Sequence, residues 1–295
     1  MFRAIAVLAA LFLSGTVLQE PSQAQEREEV SISDNSFLIE EAYNQEPGVV
    51  QHIFNWVPSW DWQGHENSAF DFVFTQEWPI GSQKHQFSYT IPLRHLKELS
   101  PGEPLVRESG LGDILLNYRY QLWEDECWRP AIAPRFSLIL PTGDEERGLG
   151  SGELGYQFNL PISKTFDRWA THFNAGATYI PHARGGVDPG LAFEGRDQNG
   201  FNLGGSVIRF VRPNFHLMLE TLVLWDEELD NQGVEDKTFE LYLSPGFRWA
   251  VFTRGSTQWV LGLGLPIGLS RDAPDLSLFG YMSFEHSIRR NCCCR

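Results

Sequence analysis

Along most of the chain, apolar and polar residues alternate one by one. Between 112 and 123 the apolar positions are Ile114, Leu116, Tyr118, Tyr120 and Leu122, with Asp113, Asn117, Arg119 and Gln121 between them. Between 153 and 163, Leu154, Tyr156, Phe158, Leu160 and Ile162 alternate with Glu153, Gly155, Gln157, Asn159 and Pro161. The same rhythm runs through 129–140, 238–251 and 258–270, and more weakly through 50–60, 69–79, 85–95, 170–181, 201–211, 214–226 and 275–287. A period of two is that of a strand with one apolar face. The pattern predicts twelve strands and no helix between any of them.

The connections sharpen this reading. Short links such as "GSQK", "EDEC", "KTFDR", "RP" and "RGST" alternate with long ones such as "KELSPGEPLVRESG", "TGDEERGLGS", "HARGGVDPGLAFEGRDQN" and "DEELDNQGVED". A barrel of the outer membrane has short periplasmic turns and long surface loops. Each crossing needs about nine to eleven residues, as found here. Trp56, Trp60, Trp78, Trp123, Trp128, Trp169, Trp225 and Trp259 tend to the segment ends, where interfacial girdles form. The predicted fold is therefore all-β, a transmembrane antiparallel up-and-down β-barrel of about twelve strands. A soluble β-protein with a dry core has the same periodicity and stays open as the alternative. Pro134, Pro161, Pro245 and Pro266 fall inside strands and are expected at bulges or strand ends, since proline removes a ladder donor.

The ends of the chain read differently. Met1-Phe2-Arg3, the apolar run 4–18 and Ser22-Gln23-Ala24 form a secretory signal with cleavage after Ala24. Residues 25–49 are a lead-in or plug, with a short helix expected from Ser36 to about Gln45 before Pro47 and Gly48. The barrel is expected over 50–288, followed by a tail, 289–295, that carries Cys292, Cys293 and Cys294. The net charge of −15 argues against nucleic acid as a partner. Outer-membrane lipid, a small-molecule solute and the outer-membrane assembly machinery are the expected partners.

Gly150-x-Gly152-x-x-Gly155 has the spacing of a dinucleotide-binding turn. That turn must open a helix, whereas a strand pattern and Pro161 follow here. The glycines fit a hairpin loop better. They also belong to a larger pattern: Gly110-Leu111-Gly112-Asp113, Leu140-Pro141-Thr142-Gly143-Asp144 and Gly148 to Gly152. Over roughly 109–165 the chain resembles the outer-membrane family named for the MetA-pathway of phenol degradation. The resemblance implies a porin-like barrel of a Gram-negative-type outer membrane and uptake of aromatic compounds. It brings no catalytic residues.

The residues expected to line the lumen for transport are Arg94, Asp113, Asn117, Arg119, Arg135, Glu153, Gln157, Asn159, His172, Asn174, His216, Glu220, Glu240 and Arg248. They point to a narrow passive channel for small solutes, aromatic or hydrophobic ones included, with no cofactor and no metal. A structural or adhesive barrel with a filled lumen is the rival. A lipid hydrolase is disfavoured, because no histidine has a serine two residues on; His286-Ser287 are adjacent and face opposite ways. Glu40-Glu41 and Glu227-Glu228 read as solvated pairs. Asp226, Glu228 and Asp230 lack the glycine of a calcium-hand loop.

Overall fold

The computed structural model describes residues 32, 36–62, 67–98, 106–187, 193–229 and 232–288. The expected signal and cysteine tail lie outside them, as does Asp230. The described chain forms one closed sheet of twelve antiparallel strands. β1 is Val49–Asp61, β2 Asn67–Ile80 and β3 Ser82–Glu98. β4 comprises Val106–Leu111 and Ile114–Tyr120, and β5 comprises Ala131–Ile132 and Arg135–Leu140. β6 is Gly155–Thr165, β7 Trp169–Ala183, β8 Arg196–Arg212, β9 Phe215–Leu229 and β10 Glu235–Arg254. β11 comprises Thr257–Gly264 and Ile267–Gly268, and β12 comprises Leu276–Ser277 and Phe279–Ser287. Each strand pairs with its sequence neighbours, and β12 returns to β1, from Val49 opposite Ser287 to Trp56 opposite Gly280.

The side chains decide between the two readings of the periodicity. Tyr118, Phe136, Phe158, Phe173, Val207 and Phe247 are exposed on the outer wall. Their strand neighbours Asn117, Ser137, Asn159, Asn174, Ser206 and Arg248 are buried. A soluble protein would reverse this order. Apolar outside and polar inside is the arrangement that lipid imposes on a closed sheet, and it excludes the soluble alternative. Several tryptophans mark the rims: Trp123 and Trp128 lie in the β4–β5 turn, and Trp169 opens β7.

The four prolines occur as two facing pairs. Pro134 separates the two parts of β5, and register places it opposite Leu160, with Ala133 opposite Pro161. Pro266 separates the two parts of β11, and register places it opposite Ser244, with Leu265 opposite Pro245. Each pair shares one gap in one ladder. Pro161 and Pro245 thus lie inside strands, not at their ends. Their carbonyls still accept, from Ala133 N–H at 3.2 Å and Leu265 N–H at 2.9 Å. Clustering the missing donors confines the disruption to two places in the wall.

The expected helix at Ser36–Gln45 does not form. That stretch is bent and extended inside the barrel, because the wall takes its backbone N–H groups one after another.

Val207 faces outward on β8, five residues from the short-turn end. Val207→Arg should destabilise the barrel by about 2–4 kcal/mol if the site lies near the bilayer midplane. Urea unfolding of the protein refolded in lipid vesicles reads this.

Candidate functional site

The interior is built from the inward residues of all twelve strands and from residues 36–46, which cross it. Three consecutive N–H groups, of Phe37, Leu38 and Ile39, donate to Glu220 Oε1 at 3.1, 3.0 and 3.2 Å. Backbone N–H groups in series form a small positive cup, and Glu220 on β9 sits in it. Further along, Glu40 N–H donates to Asn174 (2.7 Å), Ala42 to Ser163 (2.8 Å), Asn44 to Gln121 (3.0 Å) and Gln45 to Gln86 (2.7 Å). These bonds replace the helical ones that the local sequence favours.

The charges interlock in the same way. Arg119 is 3 % exposed in its side chain and reaches Glu40 Oε1 at 3.0 Å. It also donates to Asn44 Oδ1 and to the carbonyls of Glu41 and Tyr43. Arg135 holds the other Glu40 oxygen at 2.8 Å and donates to Asn117 and Gln157. Arg248 holds Glu41 at 3.0 Å and donates to His216 Nδ1 at 3.2 Å. His172 lies 2.7 Å from Ser163 Oγ and 3.6 Å from Glu41. Glu40-Glu41 is therefore not a solvated pair. Its carboxylates are the counter-charges of the wall arginines, as buried ions require. The signal for this was present in the sequence: Arg119, Arg135 and Arg248 fall on inward positions and need acids.

The wall is also shaped to the segment. The ring of Phe37 stacks on Phe279 at 5.3 Å and 14°, with Tyr281 at 5.2 Å. A Cβ on Gly262 would come within 2.3 Å of this ring, one on Gly264 within 2.9 Å and one on Gly246 within 3.1 Å. A Cβ on Gly204 would meet Ile39 Cδ1 at 2.3 Å. Only glycine leaves these slots open. Two cavities flank the segment. One, of about 250 Å³, lies towards β1–β4 and includes Asn55, Thr75, Thr90 and Asn117. The other, of about 330 Å³, includes Gln157, Asn159, Asn174, Asn202, Leu222, Leu224 and Asp226. Leu38, Glu40 and Arg135 border both.

Of the remaining residues expected in the lumen, Glu240 accepts from Tyr242 Oη at 2.7 Å, and Arg94 pairs with Asp71 at 3.3 Å. Asp113 and Glu153 belong elsewhere, to the surface loop 141–154. Asp113 Oδ1 accepts from Gly143 N–H at 2.9 Å, and Oδ2 accepts from both Ser151 N–H and Oγ at 2.7 Å. The Glu153 carbonyl accepts from Ser151 Oγ at 3.0 Å. A Cβ on Gly150 would stand 2.5 Å from Asp113 Oδ1, and one on Gly143 2.5 Å from the Leu149 carbonyl. Gly143, Gly150 and the aspartate thus close one loop around a carboxylate. Interior residues outside the expected lumen set are Glu77, Gln86, Gln121, Ser163 and Ser206, all buried. Among the described residues, no three His, Cys, Asp or Glu side chains gather into a metal-holding group.

Residues 65–183 match the model of a family described as "Putative MetA-pathway of phenol degradation". That match contains the loop motifs. An outer-membrane channel from Pseudomonas putida F1 is similar in structure, with a TM-score of 0.63 at 15% identity, over 83% of this chain and 97% of that one. This protein has the fold of an outer-membrane β-barrel. The NanC porin (TM-score 0.45, 8% identity, 79% of this chain and 98% of that chain) is looser. So is the KdgM porin solved with disordered oligogalacturonate (0.42, 9%, 82% and 99%). No curated protein sequence matches the barrel.

A clasp holds the segment at the short-turn mouth. Asp125, in the β4–β5 turn, accepts from Lys164 Nζ (2.6 Å), Thr165 N–H (2.8 Å) and Tyr43 Oη (3.2 Å). Partial burial pushes the Asp125 carboxyl up. The bonds from Lys164, Thr165 and Tyr43 and the lysine charge outweigh it and hold the group below its ordinary 3.8. A lowered acid contributes stability above its unfolded value, and that stability is lost as pH falls through the folded value. Wild type and Asp125→Asn should therefore differ in unfolding temperature at pH above 3.8 and converge in stronger acid. A second outcome concerns the slot. Phe37→Ala removes a partly buried ring, a loss of about 3 kcal/mol at the low end for such a deletion. Hydrogen exchange at the amides of residues 37–39 should accelerate by about two orders of magnitude or more, read by mass spectrometry.

Proposed function

We propose that this barrel is a passive outer-membrane channel for small solutes, closed by its own residues 36–46. The observation that carries the reading is the way the segment is held. Its backbone N–H groups donate to wall side chains such as Glu220, Asn174, Ser163 and Gln121 rather than building a ladder. Water or a solute offers the same groups equivalent bonds, so the segment is exchangeable in a way that a ladder strand is not. Beside it stand cavities of about 250 and 330 Å³. The lining of the larger one mixes carboxamides with Leu38, Leu222 and Leu224. That mixture suits a small solute with one polar edge and one apolar face. An aromatic compound is such a solute, in keeping with the family description. The similar barrel from Pseudomonas putida F1 carries the name of a channel, which supports the same reading. The reading assigns no catalysis and no cofactor to the barrel.

The fitted Phe37 slot favours a second reading, a structural barrel whose lumen stays filled. Single-channel recording in a planar bilayer separates the two. Glu40→Gln with Glu41→Gln removes the nearest acids of Arg119, Arg135 and Arg248, and breaking one buried pair costs about 3–5 kcal/mol. Open probability should rise about a hundredfold or more over the wild-type chain. Confirmed insertion with no conductance in either protein would establish the structural barrel.

A further inference from the structure

The seam where the barrel closes brings two distant histidines together on its outer face. His52 is on β1 and His286 on β12, 234 residues apart in sequence. Register sets Val50 opposite His286 and His52 opposite Phe284, so the imidazoles are diagonal neighbours. Their Nε2 atoms stand 3.3 Å apart, and their ring centroids 5.3 Å. The rings are packed in place. Phe74 and Phe284 lie nearly parallel to His52 at 6.3 and 6.0 Å, and Phe284 touches His286 at 5.2 Å. Both histidines are partly exposed, near the start of β1 and the end of β12.

A proton shared between the two nitrogens is one occupant of this gap, and 3.3 Å is at the long end of a hydrogen bond. A tetrahedral cation is another: with metal–nitrogen bonds of about 2.0–2.1 Å, a 3.3 Å separation corresponds to an angle of about 107°. The ring centroids are 5.3 Å apart, farther than the nitrogens, so Nε2 lies on the near side of each ring. We propose that His52 and His286 form a site for a divalent transition cation of the zinc type, completed by water. Imidazole nitrogen selects zinc, copper or nickel over magnesium or calcium, which take oxygen.

Such a cation would staple the first strand to the last. Every other ladder in this sheet joins strands adjacent in sequence; only the β1–β12 ladder joins the two ends of the barrel. A ligand that binds the folded barrel and not the open chain stabilises closure by an amount that grows with its concentration above the dissociation constant. Two protein ligands make the staple reversible.

The test uses the full chain with Cys292→Ser, Cys293→Ser and Cys294→Ser, because three tail thiols would bind zinc on their own. After refolding in detergent, it is titrated with Co²⁺ while visible absorption is followed. Unfolding temperature is then measured with Zn²⁺, with Mg²⁺ and with EDTA. The expected result is one tetrahedral Co²⁺ per chain, a higher unfolding temperature with Zn²⁺ and reversal by EDTA. His286→Gln and His52→Gln should each weaken Co²⁺ binding at least tenfold. His286 is the second-last residue of its strand, so its variant supplies the comparison even if the other fails to fold. Absence of Co²⁺ binding, unchanged binding in the variants, or equal stabilisation by Mg²⁺ would each overturn the proposal.

Discussion

Every backbone N–H and C=O in the hydrocarbon layer must find a partner within the protein, and a sheet can meet that demand only by closing. The pairing of β1 with β12 is that closure here. Once the sheet is closed, its faces are no longer equivalent. Phe136 and Phe158 turn to lipid, and Ser137 and Asn159 turn inward. The interior is thus polar by necessity. It includes three arginines, Arg119, Arg135 and Arg248, away from bulk water.

Those arginines create the next constraint. Charges buried behind a lipid-facing wall need counter-charges. Glu77 approaches Arg119 at 3.9 Å, but the closer acids come from outside the sheet, as Glu40 and Glu41. A segment that carries them in must also satisfy its own backbone, and the wall answers with Glu220, Asn174, Ser163 and Gln121. It must have room as well, which glycines at 204, 246, 262 and 264 supply. The segment and the wall are thus matched in charge, in hydrogen bonding and in shape. Any opening of the lumen has to undo all three together.

A different match holds the surface loop. Asp113 stands between the two parts of β4 and gathers Gly143 and Ser151 around its carboxylate. Loop 184–187 joins the same knot through Arg184 N–H to the Ser151 carbonyl and Gly186 N–H to the Glu145 carbonyl. Of the glycines whose spacing imitates a nucleotide-binding turn, Gly150 is the one pressed against this carboxylate; Gly152 takes a left-handed φ of 77°, and Gly155 lies against Ile139 and Ile180 in the wall. Each stands where a side chain would not fit or the backbone is left-handed.

The sequence by itself determined the wall. Alternation of period two fixes which residues share a face, and the short and long connections fix the order of strands. Both are local properties, and the observed strands follow the segments read from them. It also placed Arg119, Arg135 and Arg248 on the inner face. What only the tertiary structure decided is what meets them. Residues 36–45 carry helix-like local signals, yet their N–H groups are claimed by side chains from β3 to β9. Local propensity is worth tenths of a kilocalorie per residue and yields to buried bonds of about a kilocalorie or more each. Glu40-Glu41 looks solvated in sequence for a related reason: its partners lie 79, 95 and 207 residues away. Asp113 follows the strand pattern into the inner set, but a break in β4 turns it to the loop. Periodicity records which way a side chain points; only the closed barrel brings its partner to it.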